Sequence, residues 1–408
     1  MNYIDLFAGA GGLSEGFLNN GFTPIAHIEM SPVACDTLKT RIGRYHLKRT
    51  NRYSEYLSYL KGELTREDFW KLIPSSKLAT VINETIGNAT LDSIFNQIDA
   101  LRWNRKVDVL IGGPPCQAYS RIGRSRDPNR MKGDKRNVLY KYYAEVLKRY
   151  KPQYFVFENV TGLLTASDYF RDMRNLFESD DVGYKIAWKV LDSSDYGVLQ
   201  RRNRIIIIGQ RGKRSFDFPL IQSVNNTWHV KKDLLSDLPP LTPGQNNPIS
   251  KYKAPSTKYL DRFEIRNGAD FVTQHIARPH NERDLEIYAI AIELWLNERK
   301  RLHYDELPKR LKTHKNDGAF LDRFKVVDPI GLSHTMVAHI SKDGHHYIYP
   351  DLRQVRSLSV REAARIQSFP DDFYFEGGRT PAFKQIGNAV PPLMARAISQ
   401  AIKDLLSK

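Results

Sequence analysis

Hydrophobic and polar positions along the first half of the chain follow a pattern of short apolar runs separated by helical periods. The apolar runs predict seven strands, at 3–7, 23–28, 78–82, 107–111, 154–157, 186–190 and 204–209. Helical spacing appears between them, at 13–18 after the first strand and at 137–149 before the fifth. Strands that alternate with helices in this way indicate a doubly wound α/β sheet.

The pattern changes after residue 210. Residues 211–260 are rich in Pro, Asn, Ser and Lys, whereas helical spacing returns at 284–301, 360–367 and 391–406. An alternating stretch at 337–349 contains the turn Lys342-Asp343-Gly344 and predicts a β-hairpin. We therefore expect a catalytic domain at 1–211, a second, smaller domain with a hinge at 212–370, and a return to the first domain at 371–408.

Residues 41–77 form a long stretch between the second and third predicted strands. It contains Tyr45, Tyr53, Tyr56, Tyr59 and Trp70 among lysines and arginines. The favoured interpretation is a helical insertion that packs on the edge of the sheet. The alternative is an accessory contact with nucleic acid.

Composition narrows the class of protein. The 408 residues include 62 Lys and Arg against 46 Asp and Glu, for a net charge of +16. A hydrophobic content of 41% is enough for a buried core, and no apolar run is long enough to span a membrane. The first residues read as a strand rather than a signal peptide. The charge favours a polyanionic partner such as nucleic acid, and a basic protein without such a partner is the alternative.

A glycine-rich turn follows the first strand. Residues 5–12 read Asp-Leu-Phe-Ala-Gly-Ala-Gly-Gly, and Glu29 ends the second strand. Glycines let the backbone approach a ligand, and a carboxylate at the next strand end can accept both hydroxyls of a ribose. The pattern fits a nucleotide cofactor and leaves open whether this is a dinucleotide or S-adenosylmethionine. A tight turn without a ligand is the alternative.

The chain has two cysteines, Cys35 and Cys116, which argues against a disulfide scaffold and fits a reducing compartment. Cys116 follows Pro114 and Pro115 in a polar loop after the fourth strand, where open α/β sheets place ligands. The prolines fix the approach of the chain, which favours a nucleophile over a core residue. Cys35 lies in a helical run, and we interpret it as a small buried residue.

The loop beyond Cys116 is strongly basic. Residues 121–136 contain seven basic and two acidic side chains, with Gly123 and Gly133 as pivots. Such a loop could close over a phosphate backbone, and a solvated surface loop is the alternative.

Charged side chains also stand at two further strand ends. Glu158 lies at the end of the fifth strand, where a carboxyl group can hold a proton. Arg202 and Arg204 have the alternate spacing that points two side chains to one face of a strand. Each residue alone could belong to a structural ion pair, and together they could form one site.

Six blocks carry a resemblance that covers most of residues 1–30, 107–210 and 335–408. In order, they are residues 5–12, 112–120, 158–160, 200–204, 356–370 and 387–392. They resemble the signature motifs of the DNA (cytosine-5)-methyltransferase family, as found in bacterial restriction-modification systems. The resemblance implies a mostly parallel sheet of the S-adenosylmethionine-dependent methyltransferase type, with a target-recognition domain in the second region.

The resemblance also implies a mechanism. The Cys116 thiolate would attack C6 of a cytosine flipped out of double-stranded DNA, so that C5 becomes reactive. Glu158 would hold a proton at N3, Arg204 would assist at O2, and Arg202 would help to hold the closed loop. C5 then takes the methyl group of S-adenosyl-L-methionine, which leaves S-adenosyl-L-homocysteine, and loss of the C5 proton with β-elimination releases the cysteine.

Further residues are implied by position in the family motifs. The cofactor-binding set is Phe7, Gly9, Gly11, Gly12, Glu29, Met30, Ile86, Pro114, Asn388 and Ala389. Met30 stands where many members have an aromatic residue against the adenine, and Ile86 is the nearest match to the usual residue before the fourth strand. The DNA-contacting loop would include Gln117, Ser120, Arg121, Arg124 and Arg126.

Nine of the eleven histidines lie between His229 and His346, but no cysteine accompanies them, and we expect no metal site. Candidates for reading bases are Arg278, Arg283, Arg301, Lys309, Arg310 and Lys312. We expect a monomeric cytoplasmic enzyme with double-stranded DNA as its partner and a possible cognate restriction endonuclease. A tRNA cytosine-5 methyltransferase and an inactive DNA-binding homologue are the alternatives.

Overall fold

The computed structural model describes residues 1–115, 138–225, 227–313 and 320–408. Its largest sheet has seven strands in the order β3-β2-β1-β4-β5-β7-β6, and β7 runs antiparallel to both of its neighbours. The doubly wound, mostly parallel sheet is therefore confirmed. The strands are β1 (Asn2–Leu6), β2 (Thr23–Glu29), β3 (Val81–Asn83), β4 (Val109–Gly112), β5 (Tyr154–Val160), β6 (Tyr184–Asp192) and β7 (Asn203–Arg211).

Helices lie on both faces of this sheet and in the second half of the chain. They are α1 (Gly12–Asn19), α2 (Pro32–Arg49), α3 (Tyr53–Leu60), α4 (Arg66–Lys71), α5 (Ser75–Leu78), α6 (Leu91–Arg102), α7 (Leu139–Tyr150), α8 (Gly162–Thr165), α9 (Ser167–Glu178), α10 (Lys258–Arg262), α11 (Glu282–Glu298), α12 (Val360–Ile366), α13 (Arg379–Asn388) and α14 (Pro392–Leu406). A second, two-stranded sheet pairs β8 (Ile249–Lys251) with β9 (Phe271–Thr273).

Alternate side chains of the strands feed two apolar layers. Ile4 and Leu6 of β1 face a layer shared with α6, α7 and α9, whereas Tyr3 faces a layer shared with α1 and α14. The two terminal helices are tied together, because Ser399 donates a hydrogen bond to the carbonyl oxygen of Gly16 at 2.8 Å. The C-terminal segment thus completes the sheet domain that the N-terminal segment begins.

A third core joins the second half of the chain to the sheet domain. It includes Val230, Tyr259, Met336 and Phe369, and it reaches Ala10 in the glycine turn. A smaller core forms around α11, residues 302–311 and residues 321–326. The segment between β7 and α14 therefore packs directly against the edge of the sheet that carries the glycine turn.

Residues 41–77 are helical, as predicted. Tyr56, Tyr59 and Phe69 pack with Phe271 of β9 in one apolar cluster. The Tyr56 hydroxyl donates to the backbone oxygen of Asp372 at 2.6 Å. The insertion thus braces the sheet domain against the second region.

A buried ion-pair network strengthens this brace. Arg41 of α2 donates to Glu15 of α1 and to Asp372, and Arg44 donates to the other carboxylate oxygen of Asp372 at 2.6 Å. The two arginines hold the pKa of the buried Asp372 carboxyl well below its usual range.

Three local predictions are corrected by the structure. The third strand begins at Val81, because residues 75–78 form α5. The helix expected at 284–301 spans Glu282–Glu298. The hairpin at 337–349 is wrong: Ala338–Ser341 is a 3-10 turn, and Arg278 occupies the carbonyl groups of residues 340–342 that a strand partner would need. Within the described ranges, no helix is both long and apolar enough to cross a membrane.

Candidate active site

One edge of the sheet collects the predicted site residues. β1, β4 and β5 are parallel and end at this edge, and the antiparallel β7 begins there. Val160 pairs with Arg204 across β5 and β7, so Glu158 lies diagonally opposite Arg204 on the same face. Register alone therefore brings these two side chains together.

Glu158 and Arg204 form a direct ion pair. Arg204 Nε donates to Glu158 Oε1 at 2.8 Å, and the side chains are only 11% and 13% exposed. The low exposure and the charge-assisted bond fix the orientation of the carboxyl group. The pair presents a carboxyl group and a guanidinium side by side, which can engage adjacent polar atoms of a planar heterocycle.

The chain that leads to Cys116 passes close beside this pair. A Cβ added at Gly113 would lie 2.6 Å from Glu158 Oε2, so any larger residue there would push the Glu158 carboxyl group aside. Asn159 is buried, and its side-chain amide donates to the carbonyl oxygen of Pro114 at 3.4 Å. The end of β5 thus both supplies the carboxyl group and supports the approach to the cysteine. Sequence reasoning missed these supporting roles of Gly113 and Asn159, although both lie inside the recognised blocks.

Cys116 and the predicted DNA-contacting residues Gln117, Ser120, Arg121, Arg124 and Arg126 lie outside the described residues. Their assignments stay predictions. Cys35 is buried as predicted, and burial raises the pKa of its thiol to about 12. A thiol in that state is a poor nucleophile, which leaves Cys116 as the candidate.

Arg202 takes a different position from Arg204. It is 1% exposed, and its guanidinium donates to the carbonyl oxygens of Met336 and Gly387. The two arginines therefore do not converge on Glu158. In this place, Arg202 is a positioning residue that joins the start of β7 to the second region and to α13. Its predicted help in holding the closed loop stays a prediction, because that loop lies outside the described residues.

The glycine turn and Glu29 are in direct contact. Glu29 Oε2 accepts from the backbone N–H of Gly9 at 2.9 Å, and Oε1 accepts from the N–H of Ser31 at 2.8 Å. Asn83 at the end of β3 donates to the carbonyl oxygens of Glu29 and Met30. These bonds hold the end of β2 beside the turn. Asn83 was not predicted, and its position at a strand end was the available signal.

The remaining cofactor candidates surround this turn. Phe7 and Gly11 belong to it, and Pro114 follows β4, which pairs with β1. A Cβ at Gly12 would lie 2.3 Å from the carbonyl oxygen of Val390 and 3.1 Å from Ala389 Cβ, so the C-terminal block closes against the start of α1. Asn388 ends α13 beside it.

Two hydrophobic cofactor candidates differ in exposure. Met30 is 61% exposed at the end of β2, whereas Ile86 is 9% exposed and packs in the layer that includes Ile28. Met30 therefore offers an apolar surface to a ligand. The N–H of Glu84 donates to the carbonyl oxygen of Glu29, which holds the chain before Ile86 beside the end of β2. The predicted contact of Ile86 with the cofactor stays a prediction.

Buried polar groups lie beneath the turn. Ser14 shares hydrogen bonds with Tyr3 and His27. Burial lowers the pKa of His27 to about 4, and burial together with the Glu29 charge raises the pKa of Asp5 well above its usual range. These groups stiffen the floor of the turn and were not predicted.

Four of the six predicted base-reading residues already bind other groups of the protein. Arg278 binds carbonyl groups of residues 340–342, Arg283 pairs with Asp284, Arg310 pairs with Glu286, and Lys312 donates to the carbonyl of Asp305. Arg301 and Lys309 pair with no carboxylate in the described part of the chain. These two remain the candidates with available charge.

The histidines of the second region are mostly structural. Burial lowers the pKa of His275, His280 and His334 to about 4. His275 bridges Ser359 and the carbonyl oxygen of Pro239. Among the described residues, no group of three or more His, Cys, Asp or Glu side chains could hold a metal ion.

Comparison with known proteins identifies the family in which this arrangement occurs. A family model described as C-5 cytosine-specific DNA methylase matches residues 1–55 and 83–404. The stretch between the two matched ranges, 56–82, covers the second half of the helical insertion and the first two residues of β3. Type II methyltransferase M.Bpa9945I of Bacillus paralicheniformis is 43% identical, with 100% of this chain and 99% of the relative covered. Type II methyltransferase M.DdeI of Desulfomicrobium norvegicum is 30% identical, with 98% and 88% covered.

Solved structures share the fold. A DNA modification methyltransferase encoded within an E. coli prophage aligns with a TM-score of 0.67 at 23% identity and covers both chains completely. The Entamoeba histolytica methyltransferase EhMeth aligns with a TM-score of 0.55 at 15% identity, over 100% of this chain and 99% of that one. The blocks, the sheet order and the matched family model agree, and the chain belongs to the C-5 cytosine-specific DNA methylase family as a DNA (cytosine-5-)-methyltransferase.

Proposed function

We propose that this enzyme methylates C5 of a cytosine flipped out of a specific double-stranded DNA sequence, through a covalent Cys116 adduct at C6. The observation that carries the proposal is the Glu158–Arg204 pair, which stands beside the chain leading to Cys116. A base must leave the helix stack to reach such a recessed pair.

The residues divide the chemistry between them. The Cys116 thiolate forms a bond to C6, and the ring electrons move toward N3 and O2. The Glu158 carboxyl group protonates N3, and Arg204 donates to O2, so the negative charge that develops on the ring is neutralised. S-adenosyl-L-methionine, when bound, supplies an electrophilic methyl group to C5. Loss of the C5 proton to a base, which can be water, then allows the C6–S bond to break. This step restores the thiolate, and the proton on N3 returns to Glu158.

The glycine turn and its neighbours fit S-adenosyl-L-methionine. Each Glu29 oxygen accepts one backbone N–H and keeps a lone pair for a ribose hydroxyl. Met30 offers an exposed side chain to the adenine, and Asn388 with Ala389 closes the cradle from the C-terminal side. Phe7, Gly9 and Gly11 would contact the rest of the cofactor, and its product would be S-adenosyl-L-homocysteine.

The partners and setting follow from the relatives. M.Bpa9945I and M.DdeI are Type II methyltransferases, so we propose a role in a restriction-modification system, with a cognate endonuclease acting on the same site. We propose that residues 212–370 recognise the target and that the enzyme acts as a monomer in the bacterial cytoplasm. The purified cognate endonuclease should fail to cut DNA from cells that express the methyltransferase.

Base-resolution mapping of 5-methylcytosine in a host that expresses the enzyme tests the central proposal. We expect a fixed DNA motif to be methylated and host RNA to be unchanged. Methylated tRNA with unmodified DNA would establish the tRNA alternative instead.

The Cys116→Ala variant separates catalysis from binding. It should retain DNA binding and lose methyl transfer, because it lacks the thiolate that activates C5. Turnover by this variant would rule out the covalent route. A wild-type chain that binds DNA without modifying it would be an inactive homologue.

A further inference from the structure

A basic pocket of about 690 Å³ lies in the second half of the chain, outside the site described above. Its floor is the π-helical turn Val230–Leu234, and its walls come from residues 329–330 and 349–354. The basic side chains that line it are His229, Lys231, Lys232, Lys253 and Arg353. We call this the basic pocket.

The acidic side chains that line the basic pocket do not neutralise all of its basic side chains. Asp351 is the carboxylate among its lining residues, and it already binds Arg353 at 2.9 Å and Lys231 at 3.3 Å. The Arg353 and Lys231 contacts hold the pKa of Asp351 well below its usual range. Lys232 and Lys253 are exposed and pair with no carboxylate in the described ranges. The pocket therefore keeps a surplus of positive charge for an outside anion.

The frame that carries these charges is rigid. Val230, Leu234 and Tyr349 are buried in the third core, and Lys231 Nζ is held by the carbonyl oxygen of Pro350 at 3.1 Å. The buried Gln354 accepts from the backbone N–H of Leu241 at 2.8 Å. A fixed backbone limits the conformational entropy lost when an anion binds.

The basic pocket is connected to the catalytic edge by a short stretch of chain. The backbone N–H of Arg201 donates to the carbonyl oxygen of Ser333 at 2.9 Å. Ser333 is three residues from Ile330 in the pocket wall, and Arg201 is three residues from Arg204. At roughly 3.5 Å per residue, each of these steps spans at most about 11 Å. The pocket thus lies within about 25–30 Å of the Glu158–Arg204 pair, a distance that a bound duplex covers with roughly eight base pairs.

We propose that the basic pocket binds backbone phosphates of the substrate duplex, to one side of the target cytosine and independently of base sequence. The inference rests on the proposed function, since it assigns a further contact to the same DNA. Lysine is a mobile point charge that suits phosphate without bidentate geometry. Such contacts fix the register of the duplex on the protein, while other residues read the bases.

The Lys232→Gln/Lys253→Gln double variant tests the proposal. DNA affinity is measured over a series of salt concentrations, with duplexes that contain or lack the mapped target sequence. Loss of two phosphate contacts should reduce the slope of log K against log salt by about 1.8 and lower affinity about 30-fold at physiological salt. The loss should be the same for both duplexes, and turnover at saturating DNA should match the wild type.

The matched control is Lys77→Gln/Lys106→Gln. Lys77 in α5 precedes β3 and Lys106 precedes β4, so both lie at the opposite edge of the sheet. This control removes the same charge and should leave the salt slope unchanged.

Three results would overturn the inference. The first is a wild-type slope in the double variant, and the second is an equal change in the control. The third is a loss confined to the duplex that carries the target, which would indicate base reading. Failure of the proposed function is visible separately, because the wild-type chain itself would then leave DNA unmethylated.

Discussion

Replacement of Gly113 by alanine should disable catalysis while the fold persists. The added Cβ would lie 2.6 Å from Glu158 Oε2, whereas ordinary van der Waals contact begins near 3.4 Å. The carboxyl group must therefore move by about 0.8 Å, and the 2.8 Å bond from Arg204 to Glu158 must distort or break. A misplacement of about 1 Å costs on the order of 100-fold in rate.

The assay is transfer of labelled methyl groups to DNA under saturating substrates. We expect the turnover of Gly113→Ala to fall about 100-fold, with DNA affinity near the wild-type value. Gly43→Ala is the matched control: its Cβ would meet Phe69 at 2.7 Å, a comparable overlap in the insertion. The control should lose stability but keep the turnover of its folded fraction.

A double-mutant cycle distinguishes two ways in which Gly113→Ala could lower turnover. If Gly113→Ala acts by displacing Glu158 from Arg204, its loss should not add to that of Arg204→Met. Additive losses would point to displacement of the chain leading to Cys116 instead. Near wild-type turnover in Gly113→Ala would refute the claim that this approach constrains the carboxyl group.

The other predictions concern stability. Asp372→Asn should destabilise the protein by about 3 kcal/mol in urea unfolding, because it leaves the buried Arg44 without its carboxylate partner and leaves Arg41 with Glu15 alone. The exposed Asp68→Asn control should change little, and equal effects would exclude a special role for the network. The depressed pKa of Asp372 means that its contribution is present above its unfolded pKa and is lost as pH falls through the lower folded value. His27, His275 and His334 have folded pKa values of about 4, below the unfolded value of about 6.5, so stability should fall as pH drops from 7 to 5, on the order of 1–2 kcal/mol per histidine. Urea midpoints at the two pH values check this, His27→Gln should flatten the dependence, and identical wild-type midpoints would contradict it.

The sheet was predictable because its central strands are continuous apolar runs. Ile205–Ile208 and Val109–Ile111 are buried on both faces, so composition alone identifies them. The same reasoning predicted that the site residues meet at one edge of the sheet, because the carboxyl ends of parallel strands lie at the same edge. The third strand was misplaced because residues 75–78 carry no pattern that separates a short helix from a strand.

Other features depend on contacts that no local pattern encodes. Arg41 and Asp372 are 331 residues apart, and no local pattern near either residue indicates that the two will pair. The hairpin prediction failed because Arg278, about 60 residues away in the sequence, donates hydrogen bonds to the backbone carbonyl oxygens of residues 341 and 342. Arg202 and Arg204 look equivalent in the sequence, but only the tertiary fold sends one to the interior and the other to Glu158.

The closure of the cofactor cradle by residues 388–390 bears on how the enzyme is made. Ribosomes deliver the glycine turn before the second region and residues 388–390 after it. A nascent chain thus carries Glu158 and Arg204 long before the cradle against α1 is complete. Under the proposed assignments of the cofactor site and the target-recognition region, methyl transfer begins only after residues 212–370 have been synthesised.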